Sequence, residues 1–165
     1  MFDDVSMAKA AQVIDACRDA QLLMVTAESC TGGLLTGALT AIPGSSDVID
    51  RGYITYSLHG KIEMIGVPAQ MLGEHGAVSA PVARAMAGGA LARCLPRIKL
   101  AVAITGVAGP GSTSPTKAAG LVYLAVAQDG RGILEEKCEF GDIGRNEVRL
   151  ASVEAALDLI LKRLE

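Results

Sequence analysis

Five short apolar runs, separated by stretches of helical spacing, constrain this chain more than any other feature. The runs cover residues 22–26, 48–56, 100–104, 121–127 and 133–140. Between them, Ala10, Val13, Ile14 and Cys17 recur at helical spacing and predict an amphipathic helix over 6–20. Further helices are expected over 34–42, 61–65 and 68–72, and over 79–94 with Ser79 as its cap and Pro81 in its first turn. A last helix follows Phe140-Gly141-Asp142, with Val148, Ala151, Ala155 and Leu159 as its apolar stripe. Pro43-Gly44-Ser45-Ser46 stops the second helix, and Asp129-Gly130 reads as a hairpin turn between the last two strands. Strand runs that are apolar on both alternate sets need cover on both faces. The order therefore predicts an α/β fold with a mixed sheet of about five strands and helices on each face. No repeat, linker or low-complexity tract interrupts it, so residues 1–165 are expected to form one domain.

Composition narrows the function classes. The chain has 165 residues and a net charge of −3, with acidic and basic residues interspersed. With three Tyr, two Phe and no Trp it offers neither a basic footprint nor stacking platforms for nucleic acid. The acidic start Met1-Phe2-Asp3-Asp4 is unlike a secretory leader, and no apolar run reaches membrane-spanning length. Cys17, Cys30, Cys94 and Cys138 are scattered, without CxxC or histidine spacing, which argues against a zinc site or a disulfide framework. The expectation is a cytoplasmic enzyme or small-ligand binder with no cofactor or metal and no nucleic-acid or membrane partner. So apolar a small domain also predicts an association face, giving a homodimer or larger homo-oligomer.

Four segments carry candidate chemistry. Glu28-Ser29-Cys30-Thr31-Gly32-Gly33 joins a strand to a helix, where α/β proteins place ligands and where helix N–H groups are unpartnered. Read alone, its plainer reading is a Ser29 or Thr31 cap, which is common at helix starts, with tight packing at Gly32 and Gly33. Cys30 competes as a nucleophile, because a thiolate at a helix N-terminus is favoured. The second segment, 53–61, brings Tyr56, Ser57, His59 and Lys61 to a strand end; its plain reading is a packed Tyr56 and a solvated Lys61. The third, 105–113, is glycine-rich and follows the most apolar strand. Gly106 and Gly111 have P-loop spacing, but Ser112 stands where that loop needs lysine, so triphosphate hydrolysis is rejected. Its backbone can still present N–H groups to a phosphate or ribose. In the fourth segment, Phe140 to Arg145, the Arg145 fork suits a phosphate, or else pairs with Asp142. His59 and His75 read as structural or exposed.

In this order, Thr26-Ala27-Glu28-Ser29-Cys30-Thr31-Gly32-Gly33, Tyr56-Ser57 with Lys61 and Ile65-Gly66-Val67, His75-Gly76-Ala77-Val78-Ser79, Thr105 to Gly111, and Phe140 to Arg145 with Val148-Arg149 resemble the CinA C-terminal family. The resemblance covers nearly the whole chain. It implies a three-layer α/β/α sandwich and hydrolysis of nicotinamide mononucleotide to nicotinic acid mononucleotide and ammonia. It also implies a Ser–Lys site, carried over to Ser29 and Lys61 with Tyr56 nearby. Two segments depart from the family pattern. Leu58-His59-Gly60 replaces a common Asn-Glu-Ala, and Ser112 interrupts the glycine run, changes expected to bear on the pocket wall and on substrate contacts. Longer members carry an additional N-terminal domain, absent from this sequence.

On this reading Ser29 is the nucleophile, neutral Lys61 the base and Tyr56 a proton relay. Thr31, Gly32 and Gly33 meet the oxyanion, while Thr105, Gly106, Gly109, Gly111 and Arg145 hold the ribose-phosphate. Such a Lys61 must be buried and free of carboxylates. The alternatives are a Cys30 amidase and a non-catalytic nucleotide-binding or regulatory module using the same loops.

Overall fold

A computed structural model describes residues 2–165. The elements are α1 (Asp4–Asp19), β1 (Leu23–Glu28), α2 (Leu34–Thr40), β2 (Ile49–Ile54), α3 (Leu58–Ile65), α4 (Ala69–His75), α5 (Ala80–Ala92), β3 (Ile98–Gly106), β4 (Leu121–Gln128), β5 (Arg131–Glu139) and α6 (Arg145–Leu164). The five strands form one sheet in the order β2-β1-β3-β4-β5. β1 pairs in parallel with both β2 and β3, whereas β3–β4 and β4–β5 are antiparallel. The expected mixed α/β sandwich is the fold observed.

Alternation along β3 explains the two faces. Leu100, Val102 and Ile104 pack with α1, α2 and α6, in a core that also holds Val13, Ile14, Leu35, Leu39, Leu157 and Ile160. Ala101 and Ala103 point to the other face, joined by Ala125 and Ala127 of β4, and meet Val82, Ala83, Met86, Ala87 and Ala90 of α5. Large side chains on one face and alanines on the other set how closely each helix layer approaches.

Topology then gathers the candidate segments. β1, β2 and β3 are parallel, so residues after Glu28, Ile54 and Gly106 emerge at one edge of the sheet. Two antiparallel steps return the end of β5, and hence Gly141 to Arg145, to that same edge. Ligands of open α/β sheets lie beyond these strand ends.

Several sequence expectations are corrected. β1 runs two residues further than 22–26 and ends on Glu28, because Thr26 and Glu28 bond to α2 instead of to solvent. α3 starts at Leu58, since the Ser57 hydroxyl accepts from Gly60 N at 2.9 Å and caps it. Ser79 does not cap α5 with its side chain; its hydroxyl donates back to Gly76 O. The buried face of α6 keeps the expected Val148 and Leu159 but otherwise runs through Ser152, Val153, Ala156, Leu157 and Ile160, leaving Ala151 and Ala155 partly exposed.

Adjacent glycines in α5 provide a test of the packing. An added Cβ at Gly89 would lie 1.9 Å from the Ile65 carbonyl oxygen at the end of α3, whereas one at Gly88 meets nothing within 4 Å. Gly88→Ala is expected to stabilise the protein by about 0.5–1 kcal/mol through helix propensity. Gly89→Ala is expected to destabilise it by about 1–3 kcal/mol through overpacking. Urea denaturation of both variants checks this, and shifts of the same sign would contradict the α3–α5 contact.

Candidate active site

The turn after β1 is built around a buried carboxylate. Glu28 has no exposed surface; its two oxygens accept from Gly33 N (3.0 Å), Leu35 N (3.1 Å), Thr36 N (2.8 Å) and the Thr36 hydroxyl (2.7 Å). Since Thr36 donates to Glu28, the Thr26 hydroxyl donates to Thr36 at 2.6 Å. Glu28 thus takes the N–H groups that an unpartnered α2 would offer to an anion. Gly33 makes the reversal possible with φ at +98°, a conformation that glycine adopts freely.

Ser29 extends the β1–β3 pairing by one step, its N–H donating to Ile104 O at 3.0 Å, and its carbonyl accepts from Gly32 N at 3.0 Å. Its Oγ lies 2.8 Å from Lys61 Nζ. Lys61 is only 1% exposed, and its Nζ also donates to Thr55 O at 2.7 Å. Burial lowers its pKa from the ordinary lysine value of 10.5 to about 8, with the neighbouring Cys30 pulling weakly the other way. No carboxylate pairs with Lys61 among the described residues; Glu63 instead faces His59 at 3.3 Å on the solvent side of α3. A neutral amine here can donate to Thr55 O and accept the Ser29 proton.

Cys30 sits beside this pair but is a protonated thiol at neutral pH. Burial pushes its pKa up to about 11, outweighing its own N–H, Lys61 and Arg149, which all act downwards. The expected helix-terminus activation fails because α2 begins four residues later and its N–H groups go to Glu28.

These residues line a cleft of about 290 Å³ with Ala77, Val78, Thr105 to Pro110, Thr113, Tyr56 and Arg145. Ser29, Lys61, Tyr56, Thr105, Gly106, Gly109 and Arg145 are therefore brought together. Thr31, Gly32, Gly33 and Gly111 do not reach the wall. Thr31 is fully buried, an added Cβ on Gly32 would face Arg149, one on Gly33 would face Ile54, and Gly111 lies out on the exposed loop. Cys30 and Thr31 are the residues of this turn whose N–H groups have no protein partner among those described. The departures at 58–60 and at Ser112 also lie off the cleft wall; Leu58, His59 and Ser112 are exposed and Gly60 is half-buried.

Tyr56 has a different place from the one expected. It is 64% exposed, and its hydroxyl accepts from Arg145 at 3.2 Å instead of meeting Ser29 or Lys61. Arg145 also donates to Gly109 O and, among the described residues, has no carboxylate partner, Asp142 included. Sequence reasoning passed over three supporting groups. Arg149 donates to Cys30 O and Thr31 O, both at 3.1 Å, Thr55 supplies the carbonyl that holds Lys61, and Lys117 ties the glycine-rich loop to His75 O and Val78 O. Only Arg149 falls within a recognised motif; a backbone carbonyl leaves no trace in sequence.

Residues 6–164 match the profile of the CinA C-terminal domain. The CinA-like proteins of Syntrophus aciditrophicus and Citrifermentans bemidjiense are 48% and 44% identical over 143 and 147 residues. These alignments take in 87% and 89% of this chain but 33% and 34% of those proteins. The chain thus spans about a third of the length of the curated relatives it matches. The crystal structure of competence/damage inducible protein CihA from Agrobacterium tumefaciens superposes with a TM-score of 0.94 at 46% identity, covering 99% of this chain and 98% of that one. A competence-damaged protein (CinA) superfamily structure from Escherichia coli gives 0.90 at 29% identity, covering 99% and 94%.

The buried amine predicts a pH signature in stability. Between pH 8 and pH 10.5 the unfolded chain holds a proton at Lys61 that the folded one has shed, so stability rises with pH there. Below about pH 8 both states are protonated and the full penalty is present. Lys61→Met removes this dependence, so parent stability relative to the variant should climb by on the order of 3 kcal/mol across that window. Denaturant titrations at pH 7, 9 and 10.5 measure it; parallel curves would mean that Lys61 keeps an ordinary pKa.

Proposed function

The chain belongs to the CinA C-terminal domain family, and on that premise we propose that it hydrolyses the carboxamide of nicotinamide mononucleotide, releasing ammonia. The observation that carries this reading is the Ser29 Oγ–Lys61 Nζ contact of 2.8 Å, with an uncompensated amine buried in the wall of a cleft. Amide hydrolysis needs a nucleophile, a base that can later act as an acid, and a site for the oxyanion.

Ser29 Oγ attacks the carboxamide carbon while its proton passes to Lys61 Nζ. The tetrahedral oxyanion is met by the N–H group of Cys30, the unpartnered donor of this turn that lines the cleft, in place of Thr31, Gly32 and Gly33; a well-placed donor stabilises it by about 3–4 kcal/mol. Arg149, on the Cys30 and Thr31 carbonyls, holds the two peptide units that directly follow the Cys30 N–H. Lys61 then protonates the amide nitrogen, the C–N bond breaks, and ammonia leaves. Water attacks the Ser29 ester, giving its proton to Lys61, and the acid departs as Ser29 recovers that proton. Thr55 O anchors Lys61 throughout. Arg145, braced by Tyr56 and Gly109 O, faces the phosphate at the mouth.

An ammonia-release assay on purified protein with nicotinamide mononucleotide tests the reaction. Calorimetric binding without turnover would favour the non-catalytic module. Ser29→Ala should lower kcat by about 10³-fold or more with the fold intact, whereas Cys30→Ala should keep at least about a tenth of it. The reverse ranking would transfer the nucleophile to Cys30. Lys61→Arg should be nearly as damaging as Lys61→Ala, because a guanidinium stays protonated and cannot be a base. An active Lys61→Arg enzyme would leave Lys61 an electrostatic role only. Arg145→Ala should mainly raise KM, since phosphate contacts change little as the amide reacts. An unchanged KM would remove Arg145 from the site.

A further inference from the structure

The cleft has an electrostatic mismatch with the substrate class proposed for it. Nicotinamide mononucleotide carries a permanently cationic, N-substituted ring as well as its phosphate. A buried cation is ordinarily met by a carboxylate or by aromatic faces. The residues lining this cleft include no Asp or Glu, and Tyr56, out at the exposed rim, is their one aromatic. The ionisable nitrogen groups on the wall are Lys61 within and Arg145 at the mouth. Arg145 has a natural counterpart in the phosphate, but the ring cation is left beside Lys61.

Geometry makes that proximity unavoidable. With the carboxamide carbon about 3 Å from Ser29 Oγ, the rigid ring places its nitrogen roughly 6–8 Å from Lys61 Nζ, since Nζ lies 2.8 Å from Oγ. We infer that the substrate's own ring cation, delivered by the phosphate's hold on Arg145, expels the residual proton from Lys61 and so completes the catalytic base. This rests on the function proposed above. A unit charge at that distance in a partly dry cleft moves a pKa by about one to two pH units. Starting from about 8, Lys61 becomes mostly neutral in the complex at pH 7. The site would thereby select N-substituted pyridinium carboxamides over shape-matched ligands with a neutral ring.

Other charged groups around Lys61 do not replace this effect. The β1 turn contributes Cys30, a neutral thiol, and Glu28, whose carboxylate is saturated by α2. α6 contributes Arg145 and Arg149, held by Gly109 O and by the Cys30 and Thr31 carbonyls. On α3, His59 and Glu63 face each other in solvent. Tyr56 lies on Arg145, and from α5 Arg84 is paired with Glu135 while Arg93 lies near Gly66.

The test uses Ser29→Ala protein, in which both ligands bind without reacting. Calorimetry at pH 7.5 in buffers of different ionisation enthalpy counts the protons released by nicotinamide mononucleotide and by its 1,4-dihydro form. The dihydro form keeps the carboxamide, ribose and phosphate but has a neutral ring. The oxidised ligand should release about half a proton more per site than the reduced one, and Lys61→Met in the same background should abolish the difference. In the active parent, the acid limb of kcat should lie a pH unit or more below that of kcat/KM. Equal proton counts, a difference that survives Lys61→Met, or coincident limbs would overturn the inference while leaving the amidase reading intact. A parent that releases no ammonia would take both down.

Discussion

The Glu28 carboxylate is the contact on which the rest of this site depends. It ends β1 pointing towards α2, and a fully buried carboxylate is tolerable only when its oxygens are satisfied. Four donors from Gly33, Leu35 and Thr36 satisfy it, and all belong to the start of the next helix or the residue before it. The strand end and the helix start are therefore one rigid unit. Residues 29–32 must bridge the short distance between them in a tight turn, which leaves Ser29 on the cleft side of the sheet. The same saturation removes the α2 N-terminus from the list of anion sites and directs attention to the N–H group of Cys30, which lines the cleft.

Lys61 is the second constraint, and it works against stability. An amine at 1% exposure with no carboxylate loses solvation without an ion pair in return. Its partners are one hydroxyl and one carbonyl, both weaker acceptors than a carboxylate. An ion pair would hold the amine charged; a carbonyl and a serine hydroxyl hold it in place while leaving the neutral form accessible. Arg145 shows the opposite arrangement, a permanent cation at the exposed rim, held by a carbonyl and a phenol. The cleft thus runs from a charged mouth to an interior where charge is disfavoured, a gradient suited to a ligand with an anionic tail and a reacting amide head.

How much of this was legible in the sequence depends on the range of the interaction. Short apolar runs alternating with helical spacing determined the α/β class, the five-stranded mixed sheet and most element positions, because those patterns reflect local periodicity and burial. Family motifs singled out Ser29, Lys61 and Arg145, and they flagged the segments whose ends the parallel strands later collect. Tertiary structure decided what those residues touch. The N–H groups of Gly32 and Gly33 looked free until the turn closed them onto Ser29 O and Glu28, and Cys30 looked activated until burial outweighed the pull of Lys61 and Arg149. Tyr56 looked like a relay until Arg145, 89 residues away, took its hydroxyl. Whether Lys61 was a surface lysine or a buried one was open in the sequence, since its own segment is a short helix with polar neighbours. What settled it was the packing of α3 over the ends of β1 and β2. Desolvation is a property of everything surrounding a group, and no spacing along the chain encodes it.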